Sequence, residues 1–302
     1  MTGVLAGALS VIIIVLPNPG GPQDGGQGGG LADGQLPGTA QVSPWYSPPA
    51  GGTPRSGSNQ GGGGGLIGGL VGAVKLDGWK LTIPEASATG TAASINPVNG
   101  AEPWLTRGDN GSVTFWAPVQ GATTPNSQHA RTELVSLKNF KAGNGPHTLR
   151  ASVSVGQVPS AKQDIILGQI HGADDISSVP FVMLHYDAGQ IRVVVKQVQS
   201  GSTSAKYPLI AGVPLNSPFE FTISDTGNGN LSFTATHGSD SRTATAAIPA
   251  PFHGATVRFQ AGDYQQAESG GGGPGTASTG GDGARVTFFA LDEQHGQGFA
   301  AP

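Results

Sequence analysis

Three short stretches of the sequence carry large polar side chains at two-residue spacing, the period at which a β-strand presents residues on one face. In Gly168-Gln169-Ile170-His171, Gln169 and His171 project from one side and Ile170 from the other. In Arg131-Thr132-Glu133-Leu134, Arg131 and Glu133 share a face, so Glu133 can orient the guanidinium by a charge-assisted hydrogen bond. In the stretch from Arg258 to Tyr264, the residues Arg258, Gln260, Gly262 and Tyr264 share a face if the strand stays regular. Taken singly each has a bland reading. A strand histidine is usually a surface or hydrogen-bonded group, an Arg with Glu two residues on is usually a solvated pair, and a Tyr after Gly usually packs. Together they bring a cation, an amide, an imidazole and a phenol onto polar strand faces.

That set suits β-elimination at a uronic acid. Removal of the weakly acidic C5 proton leaves negative charge spread onto the adjacent carboxylate, which the site must neutralise or hydrogen-bond. Arg131 and Gln169 fit that task. A base must take the proton and an acid must protonate the departing O4; His171 and Tyr264 are the titratable candidates. No water is consumed, and neither a metal nor a cofactor is required. Two other classes compete: a carbohydrate-binding sandwich without catalysis, and a glycoside hydrolase. The hydrolase needs two carboxyl groups flanking the bond, about 5 to 10 Å apart. Here the acids are scattered, with Asp174-Asp175 in an expected loop and Glu133 engaged with Arg131.

The elements that must position these residues are short strands. Leu149, Ala151, Val153 and Val155 alternate with polar residues, as do Ile191, Val193 and Val195, then Phe219, Phe221 and Ile223, then Leu231, Phe233 and Ala235. Asp225 to Asn230, rich in Asn and Gly, predicts a hairpin turn between two of these runs. No long segment holds helical periodicity, so the expected fold is all-β, an antiparallel sandwich. The near-pure Gly/Ser/Thr insertion from Ser269 to Gly283 is expected as a solvent loop, and the stretches Asn126 to His129 and Gly172 to Ser178 as loops near the polar faces.

Composition bounds the rest. Of 302 residues, 51 are Gly and 23 Pro, concentrated in the first quarter and the late insertion, so those regions are not core. Only 11% of residues are charged and the formal net charge is −4, which argues against a nucleic-acid partner held by counterion release. A net negative protein still binds a polyanion if its few cations converge. The absence of cysteine excludes a disulfide framework and thiol chemistry. The apolar run Val4 to Leu16 is too short to span a bilayer, and residues 1–16 read as an atypical export signal of a secreted protein. Residues 17–74 read as a disordered Gly/Pro-rich linker, 75–294 as the folded domain and 295–302 as a tail. A monomer is the default.

Three motifs resemble, in order, those of the alginate lyases of polysaccharide lyase family 7: Arg-Thr-Glu-Leu (131–134), Gln-Ile-His (169–171) and Phe-Gln-Ala-Gly-Asp-Tyr-Gln-Gln (259–266). Trp-Lys-Leu-Thr-Ile-Pro (79–84) is similar to the family's opening strand, and Phe-Trp-Ala-Pro (115–118) with Gly-Ala-Thr-Thr (121–124) to its approach to the arginine motif. The resemblance covers roughly Lys75 to Leu291. It implies a β-jelly roll of two curved antiparallel sheets with a concave groove for an acidic polysaccharide. It also implies catalytic roles for Arg131, Gln169, His171 and Tyr264, with Tyr264 as acid. For mannuronate Tyr264 would also be the base; for guluronate His171 would be. Glu133, Arg258, Gln260, Gln266 and Lys196 are the candidate substrate-binding residues. The chain departs from the family at Val135 and Gln260, where cations are common, and Arg258 adds one nearby. Gln-Ile-His leans towards guluronate-containing blocks, and a glucuronic acid polymer is the alternative substrate.

Overall fold

The computed structural model describes residues 73–268, 277 and 280–296. The expected export signal lies outside these residues, as does the linker up to residue 72. Val74, within the stretch read as linker, is buried, and its N–H donates to Gly111 O.

Among the described residues, fifteen strands build two antiparallel sheets. In chain order they are β1 (Trp79–Ala86), β2 (Ala92–Ile95), β3 (Leu105–Arg107), β4 (Val113–Pro118), β5 (Arg131–Lys141), β6 (Pro146–Gln157), β7 (Asp164–Gly172), β8 (Pro180–Asp187), β9 (Gln190–Lys196), β10 (Ser204–Ile210), β11 (Phe219–Thr226), β12 (Asn230–His237), β13 (Asp240–Ala247), β14 (Thr256–Gln265) and β15 (Gly283–His295). One sheet has the order β10-β9-β8-β7-β14-β5-β1-β2, the other β13-β12-β11-β6-β15-β4-β3. Strands distant in sequence are therefore neighbours in each sheet, as in a jelly roll. Two one-turn 3₁₀ segments, Asp174–Ile176 and Ala250–Phe252, are the helical elements among the described residues.

Period two places the core. Leu149, Ala151, Val153 and Val155 of β6 and Phe219, Phe221 and Ile223 of β11 all face the space between the sheets. Each such large side chain removed from water contributes about 1.5–3 kcal/mol. The predicted turn joins β11 to β12, with Gly227 and Gly229 at positive φ. Of the Ser269–Gly283 insertion, Asp282 accepts bonds from the N–H and Oγ of Ser160, and Gly283 opens β15. That strand runs to His295, and Gly296 N–H donates to Pro146 O, so the first residues of the expected tail are tied to β6.

The same packing sets the register of the polar faces. Ile170 is fully buried in the core, so Gln169 and His171 must face the other way. A one-residue slip would bury the polar pair and expose the isoleucine. Two glycines permit the close approach. A Cβ on Gly168 would stand 2.9 Å from the Phe221 ring. Gly262 has φ +151°, and a Cβ there would stand 2.6 Å from Thr132 O of the neighbouring strand. Side chains at either place would push β7 or β14 out of line.

Candidate active site

The outer face of the eight-stranded sheet carries a groove of about 480 Å³ whose floor is formed by β1, β5, β14, β7 and β8. Arg131, Glu133, Gln169, His171, Arg258, Gln260, Tyr264 and Gln266 all line it. Their meeting follows from pairing: Tyr264 on β14 is opposite Arg131 on β5, Gln260 is opposite Gln169 on β7, and Arg258 is opposite His171. Strands β7, β14 and β5 are adjacent, so the polar residues of the three motifs fall on three neighbouring strands. Lys196, at the end of β9, is not among the lining residues; its charge acts on His171 from a distance.

Glu133 is the anchor. It is fully buried and accepts from Arg131 Nη1 at 3.1 Å through one oxygen and from Gln169 Nε2 through the other. Burial pushes its pKa up, and Arg131 and the Gln169 hydrogen bond pull against that push. The second N–H of Gln169 reaches Gln260 Oε1 at 3.2 Å, which leaves Gln169 Oε1 buried without a partner. Arg131 also donates to Thr124 Oγ1 at 3.4 Å, and its guanidinium carbon lies 3.4 Å from the centroid of the Tyr264 ring. A cation over a phenol face is attracted by the ring quadrupole and fixes both groups.

The two titratable groups stand in different surroundings. His171 Nδ1 is 3.0 Å from Gly172 O. A carbonyl only accepts, so Nδ1 carries the hydrogen and the lone pair sits on Nε2. Burial is the main reason its pKa falls to about 4; the Gly172 bond opposes this, and Arg131, Arg258 and Lys196 add to it. The imidazole is therefore neutral at neutral pH. Tyr264 Oη is 2.9 Å from Ser127 Oγ. Ser127 Oγ accepts from His129 N at 3.0 Å and donates to His129 O at 3.0 Å. With its own hydrogen on that carbonyl, Ser127 accepts from the Tyr264 O–H. Strand periodicity could not find Ser127, which sits in a loop; the only signal was that the Asn126–His129 loop precedes the arginine motif.

Asp263, inside the third motif, points the other way. It is fully buried between the sheets with both carboxylate oxygens lacking a hydrogen-bond partner among the described residues, and burial pushes its pKa well above the ordinary carboxylate range. Gln266 lines the groove with its amide turned back onto Tyr264 O and Gln265 O, at 3.1 and 3.2 Å. Among the described residues no three His, Asp or Glu side chains gather as a metal-binding group, and no helix is long and apolar enough to cross a membrane.

A jelly roll with this groove is the architecture of a polysaccharide lyase. Residues 74–295 match the alginate lyase family model, and the chain belongs to that family, polysaccharide lyase family 7. It superposes on alginate lyase A1-II', a member of the same family, with TM-score 0.61 and 26% identity over 74% of this chain and 96% of that one. Likeness to an alginate lyase from Pseudomonas aeruginosa is equal, at TM-score 0.61 and 26% identity over 73% and 99%. An alginate lyase from Klebsiella pneumoniae shares the fold, with TM-score 0.60 and 22% identity over 74% and 96%. No curated protein matches the chain in sequence.

Proposed function

We propose that the chain cleaves alginate, a 1,4-linked uronic acid polymer, by β-elimination, with a lean to guluronate-containing blocks. The observation that carries this reading is the juxtaposition, in one open groove, of a Glu133-anchored Arg131 and Gln169 with a neutral imidazole and a phenol whose O–H donates to Ser127. The A1-II' enzyme, at 25% identity, has been crystallised with a product denoted GGG, which supports an oligosaccharide in the equivalent groove.

In the proposed reaction the substrate carboxylate sits against Arg131 and the Gln169 amide, with a substrate oxygen taking the place of Gln260 Oε1 on Gln169. His171 Nε2 removes the C5 proton. The electron pair left at C5 is spread onto the neutralised carboxylate, then forms the C4–C5 double bond as the C4–O4 bond breaks. Tyr264 Oη gives its proton to O4. One bond to hydrogen and one to oxygen break, and no water enters. The apolar run Val4 to Leu16 suits export to where such a polymer is met, and a monomer exposes the groove in full.

The test is incubation of the purified protein with polyguluronate, polymannuronate, mixed alginate and glucuronan, following ultraviolet absorbance of the unsaturated uronate end. Rising absorbance on the guluronate-containing polymers is expected. New reducing ends without that absorbance would mean hydrolysis, and binding without either product would mean a carbohydrate-binding module.

A pH profile separates the roles of the two titratable groups. With His171 as base, kcat/KM on polyguluronate should hold as pH falls and bend down only near pH 4, well below the value of about 6.5 for an ordinary histidine. The sign follows from burial, which favours the neutral ring. For the same reason the unfolded chain binds the extra proton first, so His171 lowers stability as pH falls from about 6.5 towards 4. A bend near 6.5 that persists in His171→Asn would remove His171 from the base role.

A further inference from the structure

On the outer face of the eight-stranded sheet, Lys80, Val135, Gln260 and Gln169 are successive cross-strand neighbours, one on each of β1, β5, β14 and β7. All four line the groove. Arg258 stands one step along β14 from Gln260, beside His171. Neighbouring strands are about 4.8 Å apart, so Lys80 and the β14 residues lie about 10 Å apart at their Cα atoms, with only the short Val135 side chain between. Two long cationic side chains thus flank an uncharged floor.

These two cations differ from Arg131, which Glu133 holds at 3.1 Å. Among the described residues neither Lys80 nor Arg258 makes an ion pair or a side-chain hydrogen bond, and Arg258 Nε is buried with no partner. They are close enough to repel: burial first and Arg258 second push the Lys80 pKa down. Asp174 and Glu133 act on Arg258 only as charges at a distance. Two like charges on either side of Val135, both partly desolvated, form a place where an anion relieves repulsion and completes unsatisfied donors.

We propose that Lys80 and Arg258, reaching over Val135, form a second carboxylate-binding subsite that holds the uronate adjoining the one whose C5 proton is removed. This rests on the lyase reading above. Arg258 supplies a planar fork for two-oxygen contact, Lys80 a point charge from the facing strand. The reaction then demands two carboxylates in sequence, so a polymer whose acids are interrupted by neutral or esterified residues is a poor substrate.

The experiment compares Lys80→Met, Arg258→Met and Lys80→Arg with the unaltered chain on polyguluronate and on the same polymer with half its carboxylates methyl-esterified. Methionine keeps the alkyl stem and removes the charge. Each Met variant is expected to raise KM about tenfold with kcat within about threefold, and to lose most of the discrimination against the esterified polymer. Lys80→Arg should keep both. Arg258→Met should also move the acid limb of kcat/KM upward, because it removes one of the cations beside His171, whereas Lys80→Met should leave that limb in place. If the unaltered chain turns polyguluronate over and neither Met variant changes KM, the subsite is refuted while the lyase reading stands. If the unaltered chain makes no unsaturated product, the lyase reading fails, and calorimetric titration with a guluronate oligosaccharide decides the subsite alone: weaker binding by both Met variants supports it, equal affinity overturns it. Should Arg258→Met not fold, Lys80→Met, at a partly exposed strand position, carries the decision.

Discussion

Tyr264→Phe is expected to lower kcat by about 10³-fold while changing oligosaccharide affinity by no more than a few-fold, because it removes one oxygen and one proton and leaves the ring in place. The ring is held from below by the Arg131 guanidinium, 3.4 Å from its centroid, and phenylalanine keeps that contact. What is lost is the hydroxyl that now donates to Ser127 and that would turn to O4 when substrate fills the groove. A positioned general acid is worth about 10²–10⁴, and expulsion of an unprotonated sugar alkoxide is poor enough to place the loss in the upper part of that range. Steady-state kinetics on polyguluronate, with calorimetric titration of an oligosaccharide, separates the two parameters. Full activity in Tyr264→Phe would end the assignment. An equal fall in kcat and in affinity would instead point to a binding role for the phenol.

The path from sequence to this site was open where strand period and chemistry agreed. Gln169 and His171 flank Ile170, and burial of that isoleucine alone forces both onto the groove. Arg131 and Glu133 follow the same logic, and their ion pair was legible from spacing. The parts that could not be read depend on which strands become neighbours. Nothing in the local pattern says that β14 lies between β5 and β7, and that insertion is what stacks Tyr264 on Arg131 and places Gln260 against Gln169. Ser127 was hidden for a related reason: its role comes from a loop that folds back over a strand more than a hundred residues away in sequence. Lys80 reads as one residue of an opening strand until pairing sets it beside Val135. Lys196 shows the converse: a cation of the right type, on a strand two places from β7, that is not among the residues lining the groove.

Glu133→Ala is expected to damage both folding and turnover, and by more than its distance from any sugar atom suggests. Its two oxygens take one N–H from Arg131 and one from Gln169, so a single fully buried carboxylate orients the cation and the amide that together receive the substrate carboxylate. Removing it leaves the Arg131 charge, itself 7% exposed, without a counter-ion, and breaking a buried pair in this way costs about 3–5 kcal/mol. Urea denaturation should show that loss as a lower midpoint with an unchanged slope. At temperatures where the variant remains folded, kcat/KM should still fall by about 10²-fold, because Arg131 is freed to follow Tyr264 or solvent and Gln169 keeps only its bond to Gln260. Glu133→Gln separates the two effects. Its carbonyl oxygen can still accept from Arg131, which preserves much of the stability, but its NH₂ group opposes the Gln169 NH₂ and turns that amide over. Gln169 would then present its carbonyl to Glu133→Gln and its two N–H groups elsewhere, so the variant should fold nearly as well as the parent and yet bind the substrate carboxylate in a changed geometry. A Glu133→Gln protein with unaltered kcat/KM would show that the orientation of Gln169 does not matter to the reaction, and the carboxylate would then rest on Arg131 alone.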